Sequence, residues 1–344
     1  MDTQAIAIEQ PIVPPQAILL QIGFGAMMTQ ALGVAARLGI ADYLKDGPKS
    51  VAELAAATSS HETALYRVLR SLAGAGVFRE SSPRVFENTP VSELLRSDIP
   101  NTMRSGAIFT AEPWHFDVWA NMPDSVKTGE AVWKQTHGTE VFDWFAENAD
   151  AAEIFNKTMT EMSAGAAPAV VEAYDFSGIE TLADIAGGHG FLLSQILKAN
   201  PEIDGILFDT VEVIEGADAL LQNEGVADRV EKITGDFFKE VPTADAYIMK
   251  HIIHDWEDEK AITILKSIHA AMKGDGKVLL VETVVPEGNE PHMSKMIDLE
   301  MLTSTGGMER TEEEYRDLFA NAAFRLKRIV PTRSPFSIIE AVKS

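Results

Sequence analysis

The chain has 344 residues, of which 46% are hydrophobic, so it is long and apolar enough to fold into about two globular domains. It carries 52 acidic and 29 basic residues, a formal net charge of −23 that repels phosphate backbones and anionic lipid surfaces. It contains no cysteine, which excludes disulfides, thiolate nucleophiles and cysteine-ligated metals. We expect no nucleic-acid and no membrane partner.

The first 15 residues, MDTQAIAIEQPIVPP, are acidic and proline-rich, whereas a signal peptide is basic at first and then continuously apolar. The apolar run that follows, residues 17–28, is too short to span a bilayer. The sequence therefore predicts a cytoplasmic protein without a membrane span.

Residues 17–100 have the pattern of three helices followed by a strand pair. Ser50 with Glu53 forms a capping box at the start of the second helix, and a third helix is predicted over residues 62–73. Short apolar runs at residues 77–78 and 84–86 follow a glycine stop. This order of elements is the outline of a winged helix.

A winged helix can bind DNA, and His61, Arg67 and Arg70 would lie on the exposed face of its third helix. Three basic residues are few in so acidic a chain. A dimerisation domain fits better, because the first helix carries apolar side chains that need a partner surface: Ile18, Leu19, Leu20, Ile22 and Phe24. We therefore expect a homodimer.

Residues 101–178 are predicted to be helical and irregular, with many aromatic side chains such as Trp114 and Phe155. Most aromatic residues pack into cores, but at a domain junction they also line pockets for flat apolar ligands. This segment is therefore a candidate linker and substrate pocket.

From residue 179 onward, strands alternate with helices, which predicts a parallel sheet covered by helices. The strands are expected at residues 181–185, 205–209, 229–234, 246–249, 278–283, 324–331 and 336–342. The helices are expected at residues 191–199, 213–223, 258–271 and 312–322. The predicted domains are thus residues 1–100, 101–178 and 179–344, the last a doubly wound α/β domain.

The first of these strands ends in a glycine-rich turn that leads directly into a helix. Residues 184–190 read Asp-Ile-Ala-Gly-Gly-His-Gly. Gly187, Gly188 and Gly190 would let the backbone pass close to a ligand and leave the amides of the helix start free to bind it. The spacing differs from GxGxxG, which weakens a dinucleotide interpretation.

The next two strands lead to acidic residues. Asp209 ends the second strand, 25 residues after Asp184, where doubly wound folds place a carboxylate for ribose hydroxyls. Asp236 and Phe237 follow the third strand and suit the amino group and the face of adenine. In order, the three strand ends predict a nucleoside site.

The fourth and fifth strands lead to a histidine and to carboxylates. His254 and Asp255 follow the fourth strand, where a histidine can accept a proton near pH 7. Glu282 ends the fifth strand and Glu309 lies in a later loop; a buried carboxylate beside the histidine would hold its tautomer. His251 is three residues from His254, but no third ligand is evident, so no metal site is predicted.

Together these residues resemble the S-adenosylmethionine-dependent O-methyltransferases of the plant caffeic acid and bacterial polyketide type. The resemblance covers nearly the whole chain. It includes the winged-helix outline, the glycine turn and residues 155–159, 208–209, 235–238, 249–250, 254–256, 282 and 306–311. It implies a Rossmann-like methyltransferase sheet with an N-terminal, mostly helical winged-helix dimerisation domain.

The resemblance also implies roles for individual residues. S-adenosylmethionine would be bound by Gly187, Gly188, Gly190, Asp209, Asp236, Phe237, Lys250 and Ser163, without a metal, and would leave as S-adenosylhomocysteine. His254 would deprotonate the acceptor, with Glu282 and Glu309 flanking it and Asp255 in the same catalytic set. The pocket for a flat aromatic acceptor would include Met159, Met162, Phe155, Trp256 and Met301.

Two features depart from the family pattern. Ala186 stands where many relatives have the first glycine of a triple, which is tolerable if this residue has ordinary backbone angles. Residues 298–306 form a shorter segment than in the plant enzymes. Because that segment shapes the acceptor pocket in the family, plant substrates do not transfer to this chain.

The sequence thus predicts methyl transfer to a hydroxyl, most simply a phenol, of a small aromatic or polyketide-like metabolite. One alternative is a relative with changed chemistry: decarboxylation, hydroxylation, or methylation of nitrogen or carbon. Metal-dependent methyl transfer and a DNA-binding, ligand-sensing regulator are further alternatives, and the His254 set and the acidic charge, respectively, count against them.

Overall fold

The computed structural model describes residues 14–344, which form two compact units. The first unit ends at Glu112 and the second runs from Pro113 to Ser344. The three-part division at residues 1–100, 101–178 and 179–344 stays a prediction.

The first unit combines six helices with a small antiparallel sheet among its described residues. In chain order they are α1 (Pro15–Arg37), α2 (Ile40–Tyr43), β1 (Lys49–Ser50), α3 (Val51–Ala57), α4 (Glu62–Gly74), β2 (Phe78–Ser82), β3 (Val85–Asn88), α5 (Pro90–Glu93) and α6 (Arg104–Phe109). The strand order is β1-β3-β2. The predicted capping box is present at α3, where Glu53 N donates to Ser50 Oγ and Ser50 N donates to Glu53 Oε2.

Helix α1 leaves most of its apolar side chains exposed within this unit. Leu19 and Ile22 are 72% and 71% exposed, and only Gly33, Ala35 and Ala36 are buried. Within residues 14–344, α1 is also the one helix long and apolar enough to cross a membrane by length and composition. The predicted apolar run, residues 17–28, makes up about half of this 23-residue helix.

The second unit begins with five helices that form an aromatic cluster. They are α7 (Pro113–Ala120), α8 (Met122–Thr128), α9 (Trp133–His137), α10 (Val141–Glu147) and α11 (Ala149–Ala173). Trp133 and Phe145 are buried at its centre, and Phe155 of α11 stacks on Phe145 with ring centroids 4.7 Å apart. Aromatic pairs of this kind stabilise beyond the area that they bury.

A seven-stranded sheet forms the rest of the second unit. Its strands are β4 (Thr181–Ile185), β5 (Asp204–Asp209), β6 (Val230–Thr234), β7 (Ala246–Lys250), β8 (Lys277–Glu282), β9 (Phe324–Pro331) and β10 (Ser337–Lys343). Its helices are α12 (Phe191–Ala199), α13 (Val211–Ile214), α14 (Asp218–Asn223), α15 (Asp258–Ala271), α16 (Ser294–Ser304) and α17 (Glu312–Asn321). The strand order is β6-β5-β4-β7-β8-β10-β9, and of these seven strands β10 runs in the direction opposite to the other six.

Both faces of this sheet are buried, as a doubly wound sheet requires. Successive residues of β7 alternate between two apolar clusters: Tyr247 and Met249 pack on one face, and Ala246 and Ile248 on the other. The chain crosses from the first half of the sheet to the second between β4 and β7, and ligands of open α/β sheets bind at the carboxyl ends of the strands beside such a switch point.

One predicted helix is wrong. Residues 213–223 form two short helices, α13 and α14, instead of one. The break contains Gly216, where an added Cβ would lie 2.7 Å from His189 Nε2. The ring of His189 thus occupies the space that a side chain at Gly216 would need.

We predict that the exposed face of α1 is covered by a second copy of the chain. Replacing Leu19 and Ile22 together by Glu should convert the dimer to a monomer, because both charges would be buried in the interface. Light scattering should then give a mass near 37.5 kDa. Val91→Glu, a change at a 53% exposed residue outside α1, should leave the dimer intact. An unchanged mass for the double variant would contradict this interface.

Candidate active site

The turn after β4 needs glycine at its closest approach to the sheet. A Cβ at Gly187 would lie 2.6 Å from Asp184 Cγ and from Leu207 Cδ1. Gly188 and Gly190 have φ of 62° and 83°, in the left-handed region that glycine adopts without strain. Gly190 then begins α12, so the turn brings a helix N-terminus to the strand edge.

Ala186 does not have the ordinary backbone angles that we expected. Its φ is 54°, in the left-handed region. The conformation is held because Ala186 N donates a hydrogen bond of 2.7 Å to Phe208 O of β5. The missing glycine is therefore tolerated at a cost in strain.

Two carboxylates lie beside this turn. Asp209 accepts hydrogen bonds from Gly188 N at 2.9 Å and from Thr210 N at 2.7 Å, and burial raises its pKa. Asp184 is buried, and its Oδ2 has no partner among the described residues. Burial raises the pKa of Asp184 to about 7, with the charge of Lys250 opposing the shift.

Asp236 and Phe237 follow β6 at the same sheet edge. Asp236 accepts from Phe238 N at 2.9 Å and pairs with Lys239 at 3.0 Å, which lowers the pKa of Asp236. The ring of Trp256 lies 6.1 Å from that of Phe237 and 4.9 Å from that of Phe238. Trp256, predicted for the acceptor pocket, thus packs beside the residues predicted for adenine.

His254 lies in a short 3₁₀ turn after β7 and is 6% exposed. Its Nδ1 is 2.6 Å from Glu309 Oε1, and its Nε2 is 3.7 Å from Asp255 Oδ1. Glu309 Oε2 accepts a second hydrogen bond from the Thr283 hydroxyl. The structure thus brings together the histidine and two of the three predicted carboxylates.

Glu282 acts on the backbone of the turn, and no hydrogen bond between it and the His254 ring is present. Its Oε1 accepts from the amides of Ile252, Ile253 and His254 at 3.2, 2.8 and 3.4 Å. Its Oε2 accepts from the Tyr315 hydroxyl at 2.8 Å. Glu282 therefore fixes the turn that carries the histidine.

The carboxylates control the charge of the imidazole. Burial disfavours its charged form, but Asp255, Glu309 and Glu282 outweigh burial and raise the pKa of His254 to about 9. Burial raises the pKa of Asp255 to about 6, with the positive charge of His254 opposing it. The turn is thus a small cluster of coupled charges.

Two neighbouring groups complete this charge cluster. Burial lowers the pKa of Lys250 to about 8, against the effect of nearby carboxylates. It also lowers the pKa of His251 well below its usual value, and the ring of His251 lies 5.0 Å from that of His254. Within residues 14–344, no group of three or more His, Asp or Glu side chains is arranged to hold a metal ion.

The loop between α16 and α17 presses against the His254 turn. A Cβ at Gly307 would overlap the His254 carbonyl oxygen, and Met308 N donates to that oxygen at 2.9 Å. Glu309 N donates to Asp298 Oδ1 at 2.9 Å. This close approach is what places the Glu309 carboxylate at the imidazole.

The residues predicted for the acceptor side lie on α11 and α16. Met159, Met162 and Ser163 are half-buried on α11, and the Ser163 hydroxyl donates to Met159 O at 2.7 Å. Met301 is buried on α16. Glu300 of that helix accepts from Trp119 Nε1 at 2.7 Å and contacts His115 Nε2 at 2.9 Å, which ties α16 to α7.

Sequence reasoning missed several partners of the site: Asp184 beneath Gly187, Thr283 on Glu309, Tyr315 on Glu282, Asp298 on the Glu309 amide, and Arg310. Asp184 opens the glycine-rich turn and Thr283 follows Glu282 directly. Their positions at strand ends could therefore have indicated from sequence that they belong to the site. Tyr315 pairs with a residue 33 positions away, and no local pattern indicates such a contact.

This fold, with a glycine turn and acidic residues at successive strand ends, defines a Rossmann-like methyltransferase. The comparisons agree. The O-methyltransferase domain matches residues 119–325, and the O-methyltransferase dimerisation domain matches residues 20–98. The chain belongs to the S-adenosylmethionine-dependent O-methyltransferase family. The family and fold predicted from sequence are confirmed, and the dimerisation domain supports a homodimer.

Relatives of known activity match over nearly their whole length. Phenazine O-methyltransferase PhzM of Lysobacter antibioticus is 45% identical over 330 residues, 96% of each chain. The mitomycin biosynthesis 6-O-methyltransferase of Streptomyces lavendulae is 38% identical and covers 92% of this chain and 91% of its own. The 8-amino-8-demethylriboflavin N,N-dimethyltransferase of Streptomyces davaonensis is 34% identical over 94% of both.

Among solved structures, CalO1, a methyltransferase in calicheamicin biosynthesis, superposes with a TM-score of 0.86 and 36% identity over 96% of this chain and 98% of its own. That structure is the form with S-adenosylhomocysteine bound. The protein is thus an O-methyltransferase of secondary metabolism that uses S-adenosylmethionine.

The residues at the sheet edge fit this cofactor. At Gly187 the backbone packs so closely on the sheet that a Cβ would clash with Asp184 and Leu207, whereas a Cβ at Gly188 would meet nothing within 4 Å. The buried Asp184 Oδ2 beneath the turn lacks a hydrogen-bond partner among the described residues. Asp209 offers a carboxylate at the end of β5, which is the position for ribose hydroxyls in doubly wound folds.

Ala186→Gly should stabilise the protein, because it relieves a left-handed φ at a residue with a side chain. We expect the free energy of unfolding to rise by about 1 kcal/mol, the typical cost of this conformation. Chemical denaturation measures it. Ala183→Gly, at a buried β4 residue with no positive φ, should instead destabilise. A lower free energy of unfolding for Ala186→Gly would contradict the presence of backbone strain at Ala186.

Proposed function

We propose that this enzyme methylates a phenolic hydroxyl of a small, planar aromatic metabolite and that His254 is the general base. The observation that carries the proposal is the buried His254–Glu309 contact of 2.6 Å, at the same strand edge as the glycine turn and Asp209. A cofactor site and a proton acceptor side by side are what alkylation of a weakly acidic hydroxyl needs.

Gly187, Gly188 and Gly190 would hold the methionine part of the cofactor with their backbone, together with Lys250 and Ser163. Asp209 would bind the ribose hydroxyls, and Asp236 with Phe237 would hold the adenine. When bound, S-adenosylmethionine supplies an electrophilic methyl group on a sulfonium sulfur. The residues of this chain have to align the acceptor with it and remove the acceptor proton.

The surroundings of His254 suit a phenol. A phenolic hydroxyl has a pKa of about 10, far above that of an ordinary histidine. With a pKa of about 9, one unit below that of the phenol, the imidazole takes a phenolic proton at a cost of about 1.4 kcal/mol. Glu309 stabilises the imidazolium that forms, and Glu282 holds the turn. The same shift leaves His254 mostly protonated in the free enzyme at pH 7.

The acceptor side favours a flat, apolar molecule. Met159, Met162 and Met301 present flexible thioether side chains, which adapt to planar ligands. The closely related phenazine O-methyltransferase is named for an aromatic substrate. Phe155 and Trp256 would contribute from the edges of this pocket, where they already pack in aromatic clusters.

N-methylation is the second candidate, because the riboflavin-type relative is an N,N-dimethyltransferase. An arylamine has no acidic proton of comparable pKa, so it would not need the His254–Glu309 pair before transfer. The mass of the product from hydroxylated and aminated acceptors distinguishes the two. We further propose a cytoplasmic location without nucleic-acid or membrane partners, supported by the net charge of −23.

Asp209→Asn should weaken binding of S-adenosylhomocysteine at least tenfold in calorimetry, because the neutral amide is a poorer acceptor for ribose hydroxyls. Asp204→Asn, at the exposed start of the same strand, is the matched control and should bind as the parent does. Equal affinities for all three proteins would remove Asp209 from the site. A parent that binds nothing would contradict the proposed function.

The rate of methylation should rise with pH between about 7 and 9, because the neutral imidazole is the base and its pKa is raised to about 9. Glu309→Gln removes a charge that raises this pKa, so the rising limb of kcat/KM should move to lower pH. His254→Gln should lower kcat by a factor of about 10² to 10⁴ without loss of S-adenosylhomocysteine affinity. A pH-independent rate in the parent would contradict the base assignment.

A further inference from the structure

Arg310 directly follows Glu309 and is fully buried, although its side chain is charged. Its Nη2 donates to Trp256 O at 2.9 Å and to Asp258 Oδ1 at 2.8 Å, and its Nε donates to the same Asp258 oxygen at 3.1 Å. Its Nη1 donates to Ile253 O at 3.2 Å and to Met308 O at 3.4 Å. One guanidinium thus satisfies three carbonyl oxygens and one carboxylate.

These acceptors belong to two separate segments. Ile253 and Trp256 bracket His254 on both sides in its turn, whereas Met308 adjoins Glu309. The two segments are 55 residues apart in sequence between His254 and Glu309. Arg310 therefore joins the backbone that carries the histidine to the backbone that carries its carboxylate.

We propose that Arg310 is a positioning residue that holds the His254 turn against Glu309 and so sets the basicity of the imidazole. This inference rests on the proposed role of His254. Arg310 is buried behind both segments and bonds to their carbonyls, so it acts on the reaction only through them.

The planar fork of the guanidinium is what this position requires. Five N–H groups in fixed directions can reach three carbonyls and a carboxylate at once, whereas a lysine ammonium has three donors on one atom. On the exposed side, Asp258 anchors the fork with a carboxylate that is itself 65% exposed. Arg310→Lys keeps the charge but should lose part of the bridge.

The direction in which the pKa of His254 changes on substitution of Arg310 distinguishes a positioning role of Arg310 from a direct electrostatic one. Removing a positive charge near an imidazole raises its pKa by itself, because the imidazolium is then less repelled. Letting Glu309 move away lowers that pKa. The other charged or titratable neighbours of the imidazole, Asp255, Glu282, Lys250 and His251, are unchanged by substitution at Arg310.

The test is the pKa of His254, measured by NMR of the histidine ring carbons in the full-length protein without ligand. His254→Gln assigns the signal. We expect Arg310→Met to lower the pKa of His254 by at least one unit and Arg310→Lys to lower it by less. Arg316→Met, which removes an arginine from an exposed ion pair with Glu312, is the matched control and should leave it unchanged.

Arg310→Lys is the second test if Arg310→Met does not fold, because it keeps the buried charge and removes only part of the bridge. A lowered His254 pKa in that variant cannot come from a lost charge and so reports on positioning. A His254 pKa in the folded Arg310 variants that equals or exceeds that of the parent would overturn the proposal. Binding of S-adenosylhomocysteine, measured separately, reports on the proposed function and does not depend on this pKa.

Discussion

The hydrogen bond between His254 Nδ1 and Glu309 Oε1 is the contact on which the rest of the active site depends. It is buried, so it forms only when the His254 turn and the loop that carries Glu309, two segments distant in sequence, pack closely together. Gly307 permits the close approach, and Glu282 and Arg310 hold the backbone on both sides. The surrounding sheet provides the strand ends from which these segments start. The strand ends of the second unit thus bring one buried histidine–carboxylate pair to the edge that also carries the glycine turn.

The acidic residues near His254 and the glycine turn differ in the groups that they contact. Asp255, Glu309 and Glu282 all raise the pKa of the imidazole, and Glu282 in addition accepts from three backbone amides and a tyrosine hydroxyl. Asp184, below the glycine turn, has a pKa raised to about 7 because it is buried.

Local patterns predicted what local forces determine. The strands 181–185 and 324–331, the helices 191–199 and 258–271 and the Ser50–Glu53 capping box follow from periodicity and capping. The errors lie where tertiary contacts decide. The predicted helix over residues 213–223 breaks around Gly216, where a Cβ would clash with the His189 ring, and the hydrogen bond to Phe208 holds Ala186 in a left-handed conformation. Tyr315 meets Glu282 across 33 residues through chain folding alone, so no sequence spacing indicates that contact.

The crystal structure of the S-adenosylhomocysteine complex tests the central claim most directly. The account predicts the ribose hydroxyls on Asp209, the homocysteine part along the glycine turn, and the sulfur on the side of His254 Nε2. The His254–Glu309 contact should remain. A cofactor whose sulfur points away from His254, or a complex in which Glu309 has left the imidazole, would contradict it.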